Sequence, residues 1–367
     1  MATVLLKNEI NDSNKSVTQR QGKGIRSKWF RGFSKGVSVL GVLTGIGAIS
    51  HAILTRRERQ RFKPPGRMIE VEGRMMHLLA RGSGGPTVVL ETGASGYFGA
   101  WEWVQDELAK EARVLSYDRA GLGYSEAASG RRDAVTIARE LDELLTLAGE
   151  KPPYIMVGHS YGGLLVMEYA HLYPEKTAGL VLVDPSHPDQ ISRNPELRRS
   201  MKNFRLFFHI ASAASHLGIM RLTSAVSVMT DGLSEKEKAR GKAFFAAARH
   251  LKAAARELDA WKETTDEMRS IQFDNLPLLI LSADQPPIPW VKDFQVMHEE
   301  TARLSARGVH RVIQGAEHLN IVTHRKNALH VAQAILEVAG QVNEAETFGS
   351  NEVLAGRSLN AIKRMEL

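Results

Sequence analysis

The stretch VGHSYGG, residues 157–163, sets Ser160 between Gly158 and Gly162. It follows the apolar run PPYIMV and leads into LLVMEYAHLY, which reads as a helix stopped by Pro174. A serine between two glycines at a strand-to-helix junction implies a turn so sharp that the serine backbone is strained. Side chains at the two flanking positions would collide with the strand and the helix. The hydroxyl then stands exposed at a helix N-terminus, where backbone N–H groups and the helix dipole stabilise an anion. This context makes Ser160 a candidate nucleophile; a plain tight turn is the competing reading.

Outward from this point the chain alternates short apolar runs with amphipathic segments. RMIEVEGR and MMHLLARG (67–82) read as a hairpin. PTVVLET (86–92), RVLSYD (113–118), PPYIMVGH (152–159), AGLVLVD (178–184), LPLLILSAD (276–284) and HRVIQG (310–315) read as strands. Helices are expected at 99–111, over DAVTIARELDELLTLAG (133–149), after the serine, around 290–306 and near 326–340. Strands alternating with helices specify an α/β fold with a doubly wound, mostly parallel sheet. Residues 187–274 break the alternation and read as helical, with Ala, Phe and Leu on one side and charge on the other. The expected layout is a core of 67–186 and 275–341, a helical cap of 187–274 inserted before the strand that carries the catalytic acid, and a weakly structured tail, 342–367.

A serine hydroxyl is a poor nucleophile without a base, so a histidine and an orienting acid are required. His318 follows HRVIQG within GAEH and is the candidate base. Asp284 ends LPLLILSAD and is the expected acid; Asp184, ending AGLVLVD, is the alternative. The order Ser–Asp–His fits this architecture, and in open α/β sheets ligands bind outside the carboxyl ends of the strands. Glu317 is expected to point elsewhere, and His159, inside the turn, cannot fold back onto Ser160. His187, His310 and His324 read as surface or pocket-rim histidines, with His187 the one that could approach the site. An oxyanion needs two donors: the N–H of Tyr161, next to the nucleophile, and that of Ala94 in the loop ETGASGYFGAW (91–101). A glycine-rich connection is the simpler reading of that loop.

Composition narrows the classes further. The 367 residues are 43% apolar and 24% charged, a globular balance. There is no cysteine, which excludes disulfides, thiolate metal sites and cysteine nucleophiles. No cofactor and no metal site is expected. The net charge of +7 is local: residues 1–63 hold 13 of 48 Lys+Arg and 3 of 41 Asp+Glu, or +10, leaving 35 against 38, or −3. A nucleic-acid-binding core is therefore not expected.

Residues 1–35 are basic and polar and read as disordered. GVSVLGVLTGIGAISHAILT, residues 36–55, has no Asp, Glu, Lys or Arg. As a helix it would span about 30 Å, the thickness of the bilayer core. The expectation is a single-pass membrane anchor whose orientation the balanced basic flanks leave open. A helix packed on the core, or an export signal with Ala48-Ile49-Ser50 as its cleavage site, are the alternatives.

ETGASG, YDRAGLGYSE (117–126), VGHSYGG, VDPSHP (183–188), the Asp284 strand end and GAEHLNIV (315–322) together resemble the α/β-hydrolase fold superfamily, in its esterase- and lipase-like branch with a lid. The resemblance covers residues ~67–340. It implies a serine hydrolase, and the expectation is cleavage of a carboxylic ester or related acyl compound through an acyl-enzyme on Ser160, with a small-molecule, apolar acyl substrate as partner. Phe204, Phe207, Phe208, Leu217, Met220 and Met229 offer an apolar roof for it. Alternatives are C–C or amide bond hydrolysis by the same triad, and a non-catalytic ligand receptor on the same fold. Thr92-Gly93 stands where the family often has His-Gly, which alters pocket polarity but leaves a backbone donor. Relatives acting on epoxides or alkyl halides carry aspartate at the elbow, so Ser160 argues against both chemistries.

Overall fold

Short runs rich in valine, leucine and isoleucine, too short for helices, become the strands of one sheet, and the central ones are hidden on both faces. In the computed structural model, which describes residues 45–223, 225–284 and 289–343, these are β1 (Arg67–Val71), β2 (Arg74–Arg81), β3 (Thr87–Glu91), β4 (Val114–Tyr117), β5 (Tyr154–His159), β6 (Thr177–Val183), β7 (Leu278–Ala283) and β8 (Gly308–Ile313). Their spatial order is β1-β2-β4-β3-β5-β6-β7-β8. β2 pairs antiparallel with β1 and β4, and every later pairing is parallel. The expected doubly wound, mostly parallel sheet is present.

The helices are α1 (45–61), α2 (Glu102–Leu108), α3 (Ala134–Ala148), α4 (Tyr161–Leu172), α5 (Gln190–Arg193), α6 (Pro195–Ser215), α7 (Ala225–Val228), α8 (Glu235–Phe245), α9 (Ala248–Asp259), α10 (Trp261–Met268), α11 (Pro289–Ala302), α12 (Asn320–Thr323) and α13 (325–343). Local chemistry sets their ends. Asp133 accepts the Thr136 N–H to start α3, and Gly149, at φ 76°, ends it. Asn194 accepts from Glu196 and Leu197 ahead of Pro195 at the start of α6.

The two-residue period of the strands divides the core into two layers. Met156, Leu180 and Leu182 face one way with Leu141, Leu144 and Leu164 of α3 and α4. Ile155, Val157, Val181 and Val183 face the other way with Val104 of α2 and Ile335 of α13. Helices α5–α10 lie between β6 and β7 in the chain, where a helical cap was expected.

The membrane anchor, 36–55, lies outside the described residues over 36–44, as do the basic segment 1–35 and residues 344–367 of the tail. Among the described residues no helix is long and apolar enough to cross a membrane. α1 runs on past Thr55 through Arg56, Arg57, Glu58, Arg59 and Arg61, so the basic residues expected to flank a span belong to the helix itself. Its apolar described part, 45–54, is about 15 Å long, half a bilayer core. The chain divides into two compact units, residues 1–54 and 55–367. The second holds the sheet and α2–α13.

At the turn from β5 to α4, Ser160 has φ 55° and ψ −122°, a region that side chains rarely adopt. The turn closes because its neighbours are glycines. A Cβ on Gly158 would sit 2.4 Å from the Gly162 carbonyl oxygen, and one on Gly162 would sit 2.6 Å from the Thr92 oxygen. We expect Gly158→Ala and Gly162→Ala each to destabilise the fold by about 1–3 kcal/mol or more, the range of an overpacked core. Gly130, where a Cβ meets nothing within 4 Å, should tolerate alanine within about 0.5 kcal/mol. Urea or thermal unfolding of the three variants checks this; equal stabilities would contradict it.

Candidate active site

Parallel register brings the site together. β5 and β6 pair with His159 opposite Val183, so the next residues, Ser160 and Asp184, emerge at one level. β6 and β7 pair with Val183 opposite Leu281, which puts Asp184 level with Ser282 and leaves Asp284 two residues further on. Two residues of strand are about 6.6 Å. The loop after β8 carries His318 back over these strand ends.

The side chains follow from that placement. Ser160 Oγ lies 3.0 Å from His318 Nε2, and His318 Nδ1 lies 2.6 Å from Asp184 Oδ2. Asp184 Oδ1 accepts the Ala283 N–H at 2.9 Å. The expected acid is therefore corrected: Asp184, the alternative, stands on the imidazole. Asp284 instead accepts the Gly315 N–H at 3.3 Å, tying the end of β7 to the loop after β8. The helical insertion accordingly follows the strand that bears the acid, rather than preceding it.

Electrostatics agree with the geometry. Burial alone would raise the Asp184 carboxyl. The hydrogen bond and charge of His318, the nearby His298 and the Ala283 N–H outweigh it and hold the pKa at about 2. An ionised carboxylate facing Nδ1 keeps that nitrogen protonated and leaves Nε2 as acceptor for the serine proton. The His318 side chain is 40% exposed, open to a ligand.

His159 cannot reach Ser160, as expected, but it has a place that its sequence position does not reveal. It is buried, and its Nε2 donates to the His318 backbone oxygen at 2.8 Å, fixing the loop that carries the base. Burial, with repulsion from His318 next, lowers its pKa to about 3. His298, a helix residue with no motif around it, was not anticipated. Its Nε2 donates to the Pro185 oxygen at 2.9 Å and its Nδ1 meets Ser282 Oγ at 2.5 Å. His310 reaches the same Ser282 Oγ at 2.6 Å, so it is tied to β7 instead of lining the cavity rim. His187 bonds its own loop through Asp189 N–H, and His324 pairs with Asp231 near the surface. Glu317 is exposed.

Both expected oxyanion residues, Ala94 and Tyr161, line the cavity that contains Ser160 and His318. The loop backbone runs close to the nucleophile: a Cβ on Gly93 would lie 3.1 Å from that of Ser160. The cavity measures about 400 Å³, and its walls include Phe204, Met229, Phe245, Leu258, Trp261 and Phe294. Of the six apolar residues expected to roof it, Phe204 and Met229 do. Phe208 and Met220 are buried elsewhere in the cap, and Phe207 and Leu217 are exposed. Among the described residues no cluster of three or more His, Asp or Glu side chains is placed to hold a metal ion.

A family model described as alpha/beta hydrolase fold matches residues 86–324. The chain belongs to the alpha/beta hydrolase fold family. Curated relatives match shorter stretches. The uncharacterized protein YbdG of Bacillus subtilis is 32% identical over 144 residues, 39% of this chain and 44% of that protein. A putative carbamate hydrolase, RutD, of Azorhizobium caulinodans is 34% identical over 103 residues, 28% of this chain and 38% of that protein. The chain thus spans under half the length of these relatives. Among solved structures, a thermophilic esterase from Thermogutta terrifontis aligns with TM-score 0.56 and 23% identity, over 75% of this chain and 98% of that one. An epoxide hydrolase from Vigna radiata aligns with TM-score 0.61 and 18% identity, over 75% and 97%. These likenesses establish a shared fold.

Two measurements follow for this hydrolase-fold site. Asp184→Asn should cut the turnover of the best substrate about 10⁴-fold, the usual cost of losing the orienting acid, while Asp284→Asn keeps most of it. The reverse ranking would return Asp284 to the site. Stability should also fall with acidification. Burial, the largest cause in each case, lowers His159 to about 3 and His250 to about 4, from 6.5. Below 6.5 the unfolded chain binds protons that these two folded histidines refuse, so the fold weakens as pH drops. Asp184, held at about 2, is lowered as well, but from 3.8, so its contribution is present above 3.8 and is lost only as pH falls below that value. Between pH 7 and pH 5 the two histidines should therefore cost about 4 kcal/mol together. Urea unfolding across that window reads this out, and a flat profile would refute it.

Proposed function

We propose that the protein is a serine hydrolase that cleaves a carboxylic ester or related acyl compound. The observation that carries this reading is the continuous hydrogen-bonded path from Ser160 Oγ through His318 to Asp184, opening into an apolar cavity. Ser160 attacks the acyl carbon while His318 Nε2 takes its proton, and the imidazolium formed is stabilised by the Asp184 carboxylate. The N–H groups of Tyr161 and Ala94 hold the oxyanion, and the dipole of α4 favours the same charge. His318 then protonates the leaving group and later activates the water that releases the acid. An apolar wall suits an aliphatic or aromatic acyl group, since little in it would hydrogen-bond a sugar or a phosphate.

A second reading has specific support. The carbamate hydrolase similarity covers the matched 103 residues and suggests that the same triad acts on a carbamate or amide carbonyl. The attack of the serine on a carbonyl carbon is shared; an amide differs from an ester in its leaving group, and a carbamate also in the group left on the serine.

Ser160→Ala should lower hydrolysis of short p-nitrophenyl esters by 10⁴-fold or more, as triad deletions do. A fluorophosphonate probe should label wild-type protein at Ser160 and leave the variant unmarked. A panel of esters, carbamates, amides and diketones then ranks the two readings, with esters expected fastest. Near-wild-type turnover by Ser160→Ala would end both.

A further inference from the structure

Helix α9 carries His250 and Glu257 seven residues apart, which puts them on one helix face. Neither has any exposed surface. Glu257 takes a two-point fork from Arg119, Nε to Oε1 and Nη2 to Oε2, each 2.8 Å. The same guanidinium donates onward to the loop after β3. Nη1 reaches the Thr92 carbonyl at 2.8 Å and Thr92 Oγ1 at 3.2 Å, and Nη2 reaches the Gly93 carbonyl at 2.9 Å. Nη1 also bonds the Glu91 carboxylate. His250 Nδ1 accepts the Gly123 N–H at 3.1 Å, so the ring hydrogen is on Nε2, which donates to the Ser95 carbonyl at 2.9 Å. One face of a cap helix thus governs the carbonyls of Thr92, Gly93 and Ser95.

Those carbonyls determine where the loop's N–H groups point. Across a trans peptide the carbonyl and the following N–H point in opposite directions. Drawing the Gly93 oxygen towards Arg119 turns the Ala94 N–H the other way. The loop does not hold this shape cheaply. Ser95 has φ 59° in a turn closed by the Gly96 N–H on the Gly93 oxygen at 3.0 Å. A non-glycine residue in that region persists only where its surroundings over-determine it. A buried ion pair is also a weak means of stabilising a fold, since a packed apolar pair often does as well. What the pair supplies is direction.

We propose that α9 sets the oxyanion loop: Glu257, through Arg119 on the Gly93 carbonyl, and His250, through the Ser95 carbonyl whose following Gly96 N–H closes on that same Gly93 oxygen, are positioning residues that aim the Ala94 N–H at the oxygen of an acyl group on Ser160. Seating of the cap and assembly of the catalytic centre are then one event. The proposal rests on the reading of Ser160 as nucleophile.

The test compares full-length wild type with Glu257→Gln, His250→Ala and His250→Gln. It measures p-nitrophenyl ester kinetics, the rate of fluorophosphonate labelling at Ser160, and melting temperature. Losing one oxyanion donor outright costs 10²–10³ in turnover; misaiming it should cost roughly ten- to a hundredfold. Glu257→Gln and His250→Ala should therefore lower kcat per labelled site by that factor, with KM within about threefold and labelling slowed in proportion. His250→Gln, which can present a donor near the place of Nε2, should recover most of the loss. Variants with lowered melting temperature but wild-type kcat per labelled site would reduce α9 to a latch and overturn the proposal. If Glu257→Gln does not fold, His250→Ala decides, because it acts on a different carbonyl. Failure of wild type to label at Ser160 is a separate outcome that overturns the nucleophile reading and this proposal with it.

Discussion

The parallel pairing of β5 with β6 is the interaction on which the site depends. It is set by backbone hydrogen bonds between two mostly apolar strands, and it delivers Ser160 and Asp184 at one level without either side chain taking part. Both residues leave their strands with positive φ, 55° and 43°, so each turns off the sheet at once instead of continuing it. His318 needs only to reach the gap between them. Its loop is fixed there by the ring of His159, the last residue of β5 and the one directly before the nucleophile in the chain. A slip of one residue between these strands would send their apolar side chains to the wrong layers and separate the acid from the serine.

Around this arrangement the molecule separates two kinds of burial. The layers above and below the sheet are aliphatic and make the fold cohere. Several buried polar groups instead brace backbone atoms around the serine: His159 on the His318 oxygen, His298 on the Pro185 oxygen and His250 on the Ser95 oxygen. Asp118 shows the same economy away from the chemistry. Its carboxylate takes the N–H groups of Phe98 and Tyr124 and the ring of His77, tying three chain segments at one point. Burial raises its pKa, but these donors more than offset the effect and lower it. YDRAGLGYSE, a motif quoted for family resemblance, thus works as scaffold, and its Arg119 connects that scaffold to the cap.

The cap is half wall and half brace. Its inward residues line the cavity, while α6 turns Leu206, Phe207 and Ile210 to the outside. An amphipathic pattern in a sequence reports that a helix has an apolar side, not which neighbour covers it. That is why only Phe204 and Met229, of six expected residues, meet the cavity. Of the uncharged run 36–55, residues 36–44 lie outside the described residues, and the helix over its end continues into five charged residues at 56, 57, 58, 59 and 61.

Local chemistry carried most of what the chain declares about itself. Glycines at 158 and 162, alternating apolar runs and the punctuation of Pro174 and Gly149 are properties of neighbours in sequence, and they specify strands, helices, the elbow and Ser160. His318 was legible for the same reason, lying just past the last strand. The acid was not. Asp184 and Asp284 both end an apolar strand, and no local feature separates them. Only the stagger of β6 against β7 does, by leaving one level with the serine and the other two residues beyond it. His159, His298, His250 and Glu257 were hidden likewise, because the three histidines act on backbone oxygens, and Glu257 on the Arg119 guanidinium, that the fold alone brings within hydrogen-bonding reach.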